Sequence, residues 1–484
     1  MTQTRNSAAI LTIILVSYFM ILLDNSVIFT ALPALAAGLG LGPSELAWVQ
    51  DAYTLVFGGL LLLGARAGDI LGRRRVFVFG LVVFSVASLL IALAPAAWWL
   101  ISARALQGVG AAIVAPSALS LLTASSEGAQ RDRAVAWYAA TAGIGASLGM
   151  LVGGAAATLL SWRAGFWINV PIGIAMIVLA PRFLPETDAA PGRFDITGAI
   201  TSTLGIGSLV FGLLHGSEAG WGDPVTIVSF SASIVLLAAF VIAESRAAQP
   251  IMPLRLFHSR IRTGAYLVRL TYLGAMIGFF YFTTQFLQGV LGLTALQAGL
   301  AFLPMTLVNF AVALVIPRLV ARVGGRVPLV IGIFLTAGGM LWLSRLGIDS
   351  TYLTGVALPM LLIGAGQGLA FAPMTSFGIA ETAPQDAGAA AGVINTFHQV
   401  GMSLGLGMLV AIAAASDTPG ATARAALAGE VSVTLTAATG FLVAALVLAL
   451  ALILPSPRAS RAETTERGST RHSLTTATTR TLEV

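Results

Sequence analysis

The feature that most constrains the fold is a succession of long apolar runs separated by short polar segments. Of the residues, 57% are hydrophobic and 10% are charged, whereas about a quarter are charged in soluble domains. Because a bilayer core holds no water, a run of about 20 apolar residues must form a helix that satisfies its own backbone. The sequence therefore predicts an all-α polytopic membrane protein with fourteen transmembrane helices. The runs lie near 9–30, 47–66, 76–94, 98–122, 134–157, 165–184, 195–214, 224–243, 263–289, 296–320, 327–346, 353–378, 388–412 and 432–454.

The distribution of basic residues predicts how these helices are oriented. All 26 basic residues are arginine, and with the N-terminus inside 21 of them fall in cytoplasmic segments, two within helices and three outside. Because cytoplasmic loops carry the excess of basic residues, both termini are predicted to be cytoplasmic. Segments 214–224 and 412–432 should then face outside, and 184–195 and 456–484 inside. The net charge of +6 reflects this bias and not a nucleic-acid partner, and the tail 456–484 is expected to be disordered or loosely held by anionic lipid.

The sequence lacks the side chains that several kinds of site require. It has no cysteine, which excludes disulfides, thiolate metal sites and thiol catalysis. Its four histidines, His215, His258, His398 and His472, are widely scattered and predict no metal cluster. A Walker-type phosphate loop is missing, which argues against ATP as the energy source. We therefore expect no cofactor, and a membrane enzyme or a non-transporting sensor is the least favoured class.

Two acidic residues lie inside the apolar runs, Asp24 in the first and Asp51 near the start of the second. A carboxylate in hydrocarbon costs several kcal/mol unless it is neutralised, paired or wetted, so both are functional candidates. At about 1.5 Å per residue, Asp24 is roughly 20 Å from the inner end of its helix, and Asp51 and Arg104 are on the order of 10 Å from the outer ends of theirs. In one layer, Asp24 and Arg104 can exchange a proton for an ion pair. A structural role for Asp24 and a wet interfacial position for Asp51 are the alternatives.

A polar stretch between the second and third runs combines a stripe of glycines with an acid among arginines. The glycines recur every four residues, so on a helix they form one smooth face against which a neighbouring backbone can pack closely. The acid and the arginines follow at the end of the helix, where basic partners can hold the carboxylate. The candidate residues of this stretch are Gly64, Gly68, Asp69, Gly72, Arg73 and Arg74.

This stretch resembles the loop signature of the major facilitator superfamily, which runs Gly, any two, small, Asp, basic, any, Gly, basic, basic. It departs from the signature at Ala65, in the place of the first glycine, and at Ile70, in the place of the basic residue after the aspartate. The resemblance implies that Asp69 faces the start of the conventional eleventh helix, here near Gly388, and acts as a conformational latch. A basic loop of any polytopic protein is the alternative, but it explains only the arginines.

Four further segments are similar to signatures of the fourteen-helix drug:proton antiporters within that superfamily. Residues 24–33 resemble the first-helix signature, 104–110 the fourth-helix motif whose arginine is tied to proton coupling, and 161–173 a later family segment. The fifth helix resembles the antiporter motif Gly-Pro-x-x-Gly-Gly, with Met150 where proline belongs. Losing the proline removes a kink, and dense glycines allow tight packing that discourages leak. These packing glycines are Gly145, Gly149, Gly153 and Gly154.

A weak internal repeat predicts the domain organisation. Residues 317–326 repeat the opening motif, with Gly324 in the place of Gly72 and Ala321 in the place of Asp69. Two halves of six helices with two helices inserted between them fit this repeat, an architecture of transporters that rock two bundles around a midplane site. Chance similarity between Gly/Ala-rich helices is the alternative. The predicted units are a six-helix bundle at 1–185, the inserted pair at 186–250, a second six-helix bundle at 251–455 and the tail 456–484.

Polar residues elsewhere in the runs are candidates for lining a substrate cavity. Arg269 and His398 are the ionisable side chains clearly within helices of the second half. A snorkelling arginine and a histidine that only hydrogen-bonds its neighbours are the alternatives, and intramembrane amides also serve as helix glue. The candidate cavity residues are Asn25, Gln107, Arg269, Gln285, Gln288, Asn309, Gln367, Asn395 and His398.

The resemblance implies a secondary transporter of the bacterial cell membrane that exports lipophilic, often cationic compounds, dyes and antibiotics. The proton gradient would drive it, with Asp24, Arg104 and Asp51 as the proton-coupling residues. We expect a small-molecule substrate, protons and membrane lipids as its partners, no nucleic acid, and function as a monomer. Dedicated export of one metabolite, antibiotic or lipid for self-resistance is the alternative.

Overall fold

The computed structural model describes residues 2–126, 128–186, 192, 194–247, 249–383, 386–416 and 420–454, and all regular structure within them is helical. The α-helices are α1 (Thr2–Leu39), α2 (Pro43–Leu71), α3 (Arg73–Ala92), α4 (Ala97–Ala124), α5 (Gly128–Leu159), α6 (Trp162–Trp167), α7 (Asn169–Phe183), α8 (Ile196–Ala219), α9 (Pro224–Arg246), α10 (Arg260–Gln285), α11 (Ala295–Ala301), α12 (Leu303–Val323), α13 (Arg326–Leu343), α14 (Leu358–Gly378), α15 (Ala387–Ala414) and α16 (Ala423–Leu448). Short π-helical turns adjoin α10, α14 and α16, and a 3₁₀ turn precedes α10. They span Phe286–Val290, Tyr352–Ala357, Ala449–Ile453 and Leu254–His258 respectively.

Thirteen of the described helical segments are long and apolar enough to cross a membrane. The remaining predicted span corresponds to α5, whose described apolar part is Leu148–Leu159, so the count of fourteen stays a prediction. Two predicted runs are each divided in the structure. A break at Ile168 separates α6 from α7, and a break at Phe302 separates α11 from α12.

Several helices extend beyond the apolar runs that predict them. α1 continues to Leu39, and α16 begins at Ala423, so that Glu430 lies inside a helix. Glu244 likewise lies near the end of α9. Both residues lie outside the apolar runs 224–243 and 432–454, so the helices carry acids that the runs do not include. Helix ends reach the headgroup region, where polar side chains are tolerated, so an apolar run underestimates its helix.

The helices pack in two groups with a hairpin between them. In the first group α1 packs on α5 and α7, α2 on α4, and α3 on α4 and α7. In the second, α10 packs on α15 and α16, α14 on α12 and α13, and α13 on α16. The inserted α8 and α9 pack on each other, and α8 lies against α2 and α15, one helix from each group. The unit boundaries at 185, 250 and 455 stay predictions, and the tail 456–484 lies outside the described residues.

The two copies of the predicted repeat form the same kind of connection. Gly72 joins α2 to α3 with a φ of +96°, and Gly324 joins α12 to α13 with a φ of +77°. Residues with a side chain rarely adopt such angles, so glycine is required at both turns. Sharp turns at matching positions are what two related helix pairs would retain.

The orientation from the arginine bias can be tested with single cysteines, because the chain has none of its own. Glu218 and Arg322 are both exposed, at the C-terminal ends of α8 and α12 respectively. We expect Glu218→Cys to react with an impermeant maleimide in intact cells, and Arg322→Cys to react only after permeabilisation. The reverse pattern would contradict the topology.

Candidate transport site

A buried carboxylate, Asp24 in α1, lies at the centre of a polar network among four helices. Its Oδ2 is 2.8 Å from Nη1 of Arg104 in α4. Its Oδ1 accepts hydrogen bonds from Nε2 of Gln107, at 2.8 Å, and from Nδ2 of Asn169 in α7, at 2.7 Å. All four side chains are inaccessible to solvent. Three donors thus converge on one carboxylate, which is what a buried charge needs.

Arg104 is held by groups other than Asp24 as well. Its Nε donates to the carbonyl of Val49 at 3.0 Å, and its Nη1 donates to Oε1 of Gln107 at 2.6 Å. The guanidinium lies 4.3 Å from the ring centroid of Tyr53, a cation–π contact. Nη2 has no hydrogen-bond partner among the described residues. Removing one partner of such a pair leaves an uncompensated buried charge and costs about 3–5 kcal/mol.

Ser88 extends the network to α3. Its Oγ accepts from Nε2 of Gln107 at 2.8 Å and donates to the carbonyl of Phe84 at 2.8 Å. The sequence analysis does not identify Ser88 or Asn169, although Asn169 lies within residues 161–173, which resemble a family segment. A neutral polar residue facing a predicted intramembrane acid is the signal that would have identified them. The charge of Asp24 is therefore connected to α3, α4 and α7.

Asp51 in α2 is fully buried, so the alternative of a wet interfacial position is wrong. Its carboxylate faces Ser403 of α15, but neither oxygen has a hydrogen bond of good geometry in the described part of the chain. Because α2 and α15 belong to different helix groups, Asp51 lies at the seam between them. It does not join the network of Asp24.

The glycines of α5 face two different helices. A Cβ added to Gly145, Gly149 or Gly153 would lie 2.6–2.8 Å from atoms of α1. A Cβ on Gly154 would instead lie 2.5 Å from the carbonyl oxygen of Ala295 in α11. Three glycines thus pack within the first group and one packs across the seam. With Met150 in the place of the motif proline, α5 runs through this region without interruption.

The seam between the two helix groups is closed at the end of the molecule whose loops carry few arginines, which we call the arginine-poor end. Nε2 of Gln288 donates to the carbonyl of Thr30 at 3.1 Å, and the amide of Leu296 donates to Oγ1 of Thr158 at 3.0 Å. Nearer the middle, Oγ1 of Thr396 in α15 donates to the carbonyl of Gly58 in α2 at 3.3 Å. The closed end is the one that the arginine bias assigns to the outside.

At the arginine-rich end, the glycine stripe of α2 lies against α4. A Cβ on Gly64 would collide with the carbonyl of Ala112, whereas one on Gly68 would be 3.5 Å from the nearest atom, Oγ of Ser117. The carboxylate of Asp69 binds Nη2 of Arg73 at 3.0 Å. Its partner in the described chain is therefore Arg73, one turn along, and not the start of α15 near Gly388.

Glu186 is a residue of this end that sequence reasoning missed. Its Oε1 accepts from the amide of Arg74 at 3.1 Å, and its Oε2 lies 3.4 Å from Nε of Arg74 and 3.6 Å from Nε of Arg75. Nη1 of Arg74 also donates to the carbonyl of Leu184 at 3.2 Å, just after α7 ends. A cation is favoured at a helix C-terminus. The arginines thus tie the start of α3 to the end of α7.

A second ion pair lies at the same end of the second helix group. Nε and Nη2 of Arg255 donate to Oδ2 and Oδ1 of Asp386 at 2.8 and 2.6 Å. These bonds hold the pKa of Asp386 below its ordinary value. Because Arg255 precedes α10 and Asp386 precedes α15, the pair fixes the starts of two helices that carry candidate cavity residues.

The predicted cavity amides do not form one site. Asn309 and Gln367 bond each other at 3.0 Å, and Asn25 accepts from Gln50 at 3.2 Å. Gln285 and Asn395 donate to carbonyls of their own helices, those of Tyr281 and Ala391 respectively. Gln288 spans the seam and Gln107 belongs to the Asp24 network.

Two predicted cavity residues do come together: Nη2 of Arg269 lies 3.0 Å from Nδ1 of His398. Arg269 is 3% exposed, so the snorkelling alternative is wrong.

Residues 14–406 match the sequence profile of the Major Facilitator Superfamily. This chain belongs to that superfamily. It is 40% identical over 431 residues to the cephamycin export protein CmcT of Amycolatopsis lactamdurans, covering 88% of each chain. It is 38% identical to the puromycin resistance protein pur8 of Streptomyces alboniger, covering 82% of this chain and 80% of the relative. As a superfamily member with many spans, it is a transporter-class protein of the cell membrane and not an enzyme.

Solved structures agree on the superfamily fold. The peptide transporter POT in complex with sulfate aligns with a TM-score of 0.66 and 14% identity, covering 93% of this chain and 97% of that one. The human organic anion transporter MFSD10 (TETRAN) aligns with a TM-score of 0.60 and 16% identity, covering 92% and 99% respectively. At such low identity the likeness concerns the fold alone.

The superfamily loop motif is expected to act on the rate of conformational change and not on binding. Asp69→Asn removes an ion pair that is partly exposed and worth about 0–1 kcal/mol, which corresponds to at most about a fivefold change in an equilibrium. Turnover should fall severalfold while substrate affinity stays nearly constant. Transport kinetics and equilibrium binding of the same substrate measure the two quantities separately. A large loss of affinity at normal turnover would refute the latch.

Proposed function

We propose that this protein exports a lipophilic small molecule across the cell membrane in exchange for protons. The observation that carries the proposal is the fully buried Asp24–Arg104 pair, whose partners lie on four helices of one group. The names of the relatives support export, since they describe cephamycin export, puromycin resistance and, for MdtP of Bacillus subtilis, a multidrug transporter at 30% identity. We further propose that it works as a monomer in lipid, without a cofactor.

The geometry of the network indicates how protonation of Asp24 would lead to movement of the helices. While Asp24 is ionised, its two oxygens hold Arg104, Gln107 and Asn169, which clamps α1 against α4 and α7. Protonation would remove the charge that compensates Arg104. A buried guanidinium without a counterion is unfavourable by several kcal/mol, so α4 would have to move relative to α1. Because the network is closed to solvent here, the proton would enter in another conformation of the cycle.

Asp51 is the alternative proton carrier within the same proposal. Its carboxylate lies between α2 and α15, so a change in its charge would act directly on the seam between the helix groups. An unpaired carboxylate charge in a dry site costs several kcal/mol, whereas a protonated one needs only a single acceptor. Asp24 remains our first choice, because its carboxylate binds Arg104, Gln107 and Asn169 and protonation would weaken these contacts.

A narrow substrate range is a second candidate, and one observation favours it. Three relatives are named for a single antibiotic each, namely cephamycin, puromycin and tetracenomycin C. A dedicated exporter for self-resistance would confer protection against one scaffold. A multidrug exporter would protect against several unrelated ones.

The test is a resistance and accumulation profile in a host from which other pumps are deleted. We expect expression to lower the accumulation of at least one lipophilic antibiotic, and a protonophore to restore it. Protection against one scaffold only would favour dedicated export. Unchanged accumulation across a broad panel, with the protein inserted in the membrane, would contradict export, and efflux that survives the protonophore would contradict proton coupling.

A further inference from the structure

Arg269 in α10 is a buried cation whose partners among the described residues are all neutral. Nη2 donates to Nδ1 of His398 in α15 at 3.0 Å, and Nη1 donates to Oγ1 of Thr375 in α14 at 3.3 Å. The guanidinium carbon lies 3.8 Å from the ring centroid of Phe371. Nε has no hydrogen-bond partner among the described residues. Among the described residues, this buried guanidinium therefore has two neutral acceptors and an aromatic face, and one of its three nitrogens, Nε, has no acceptor.

No carboxylate of the described chain pairs with Arg269. Among described residues, the ionisable side chains within electrostatic reach of it are Tyr18, Tyr272 and His398. Five acids within described helices lie beside other groups. Asp24 pairs with Arg104, Asp51 faces Ser403, Asp69 pairs with Arg73, Glu244 accepts from the amide of Met252, and Glu430 lies near Tyr281.

The bond from Arg269 also fixes the tautomer of His398. A guanidinium only donates, so Nδ1 of His398 must be the acceptor, and the neutral ring carries its proton on Nε2. Nε of Arg269 and Nε2 of His398 therefore carry N–H donors that have no acceptor among the described residues. N–H donors of this kind match the oxygens of a carboxylate or sulfonate.

The surroundings of these donors are aromatic. Tyr18 of α1 and Tyr138 of α5 stack with 3.9 Å between ring centroids, and Tyr18 is within electrostatic reach of Arg269 from the other helix group. Phe371 and His398 meet edge to face at 6.0 Å. These four rings are only half-buried, unlike the closed network of Asp24. Partly exposed rings from both helix groups thus lie around Arg269, and aromatic surface of this kind suits a lipophilic body.

We infer that the substrates are amphiphilic organic anions whose acidic group binds Arg269 and whose apolar part lies among these rings. The inference rests on the proposed export function and names its substrate class. It departs from the expectation of cationic substrates, because the group beside the rings is the positive charge of Arg269 and no acid of the described chain pairs with it. The proton site is separate, since Tyr18 is six residues from Asp24 on α1, a rise of about 9 Å.

A matched pair of fluorescent dyes tests the inference with the full chain in nanodiscs. 1-Anilinonaphthalene-8-sulfonate and N-phenyl-1-naphthylamine share one ring system, and only the first carries an anionic group. Hydrogen bonds to a charged group are worth enough that we expect the sulfonate to bind about 10- to 100-fold more tightly, after subtraction of empty nanodiscs. Equal affinity for the two dyes, tighter binding of the cation ethidium, or no binding of the sulfonate would overturn the inference.

Variants locate the effect on Arg269. Arg269→Gln should abolish the preference for the sulfonate, Arg269→Lys should retain part of it, and the exposed Arg260→Gln at the start of the same helix should leave it unchanged. Equal weakening of both dyes by Arg269→Gln would overturn the inference. If that variant does not fold, the wild-type comparison still decides. Binding needs no proton gradient, so a negative result here leaves export intact, and loss of gradient-driven export leaves this preference intact.

Discussion

Asp24→Asn is expected to reduce proton-gradient-driven export to the background of protein-free liposomes. The substitution keeps the size of the side chain and an acceptor for Gln107 or Asn169, but it removes the charge that compensates Arg104 and the group that would carry the proton. Efflux is measured from proteoliposomes under an imposed pH gradient at matched reconstitution. Substrate counterflow, which needs no gradient, shows whether the variant still folds and binds.

The control for Asp24→Asn is Ser88→Ala in the same network. Ser88 accepts from Gln107 at 2.8 Å but carries no charge, so its loss should cost about one hydrogen bond, roughly 1 kcal/mol, and leave coupling intact. Undiminished gradient-driven efflux in Asp24→Asn would refute the assignment. Loss of coupling in Asp51→Asn alone would move the proton site to α2.

The sequence allowed the Asp24–Arg104 pair to be predicted because charged side chains in hydrocarbon are rare and must find each other. It did not allow Ser88 or Asn169 to be placed beside them. Neutral polar residues are common in membrane helices, and which of them face one another depends on how α3 and α7 are rotated about their axes. That rotation is set by packing across the whole group, which a single sequence does not display.

The spans were predictable for a similar reason and their limits were not. Bilayer thickness fixes the length of an apolar run, and each apolar run of the sequence therefore coincides with a helical segment of the structure. The break at Ile168 and the early start of α16 at Ala423 leave no mark on hydrophobicity. Asp69 shows the same limit, since a loop motif predicts an ion pair but not that Arg73, four residues on, is the partner.

Gly154→Val is expected to abolish transport while leaving the fold intact. A Cβ at this position would lie 2.5 Å from the carbonyl oxygen of Ala295, across the seam between helix groups. Overpacking of this kind costs about 1–3 kcal/mol, which shifts an equilibrium between conformations about 5- to 150-fold. The strain falls only on the state in which the arginine-poor end is closed, so the protein should remain folded but open at that end.

Gly149→Val is the matched control, because its Cβ would lie 2.6 Å from the carbonyl oxygen of Leu23 within the same helix group. That contact persists in every conformation of the cycle, so this variant should lower the unfolding midpoint, whereas Gly154→Val should not.

Opening of the seam is measured with Ala298→Cys, a buried position in α11, in a chain without native cysteine. An impermeant thiol reagent added outside should label it faster when Gly154→Val is also present. Two results would contradict this prediction: equal labelling with and without Gly154→Val, or wild-type transport by that variant. Either would show that the seam need not close at α5 and α11. The role of Gly154 would then be helix packing alone.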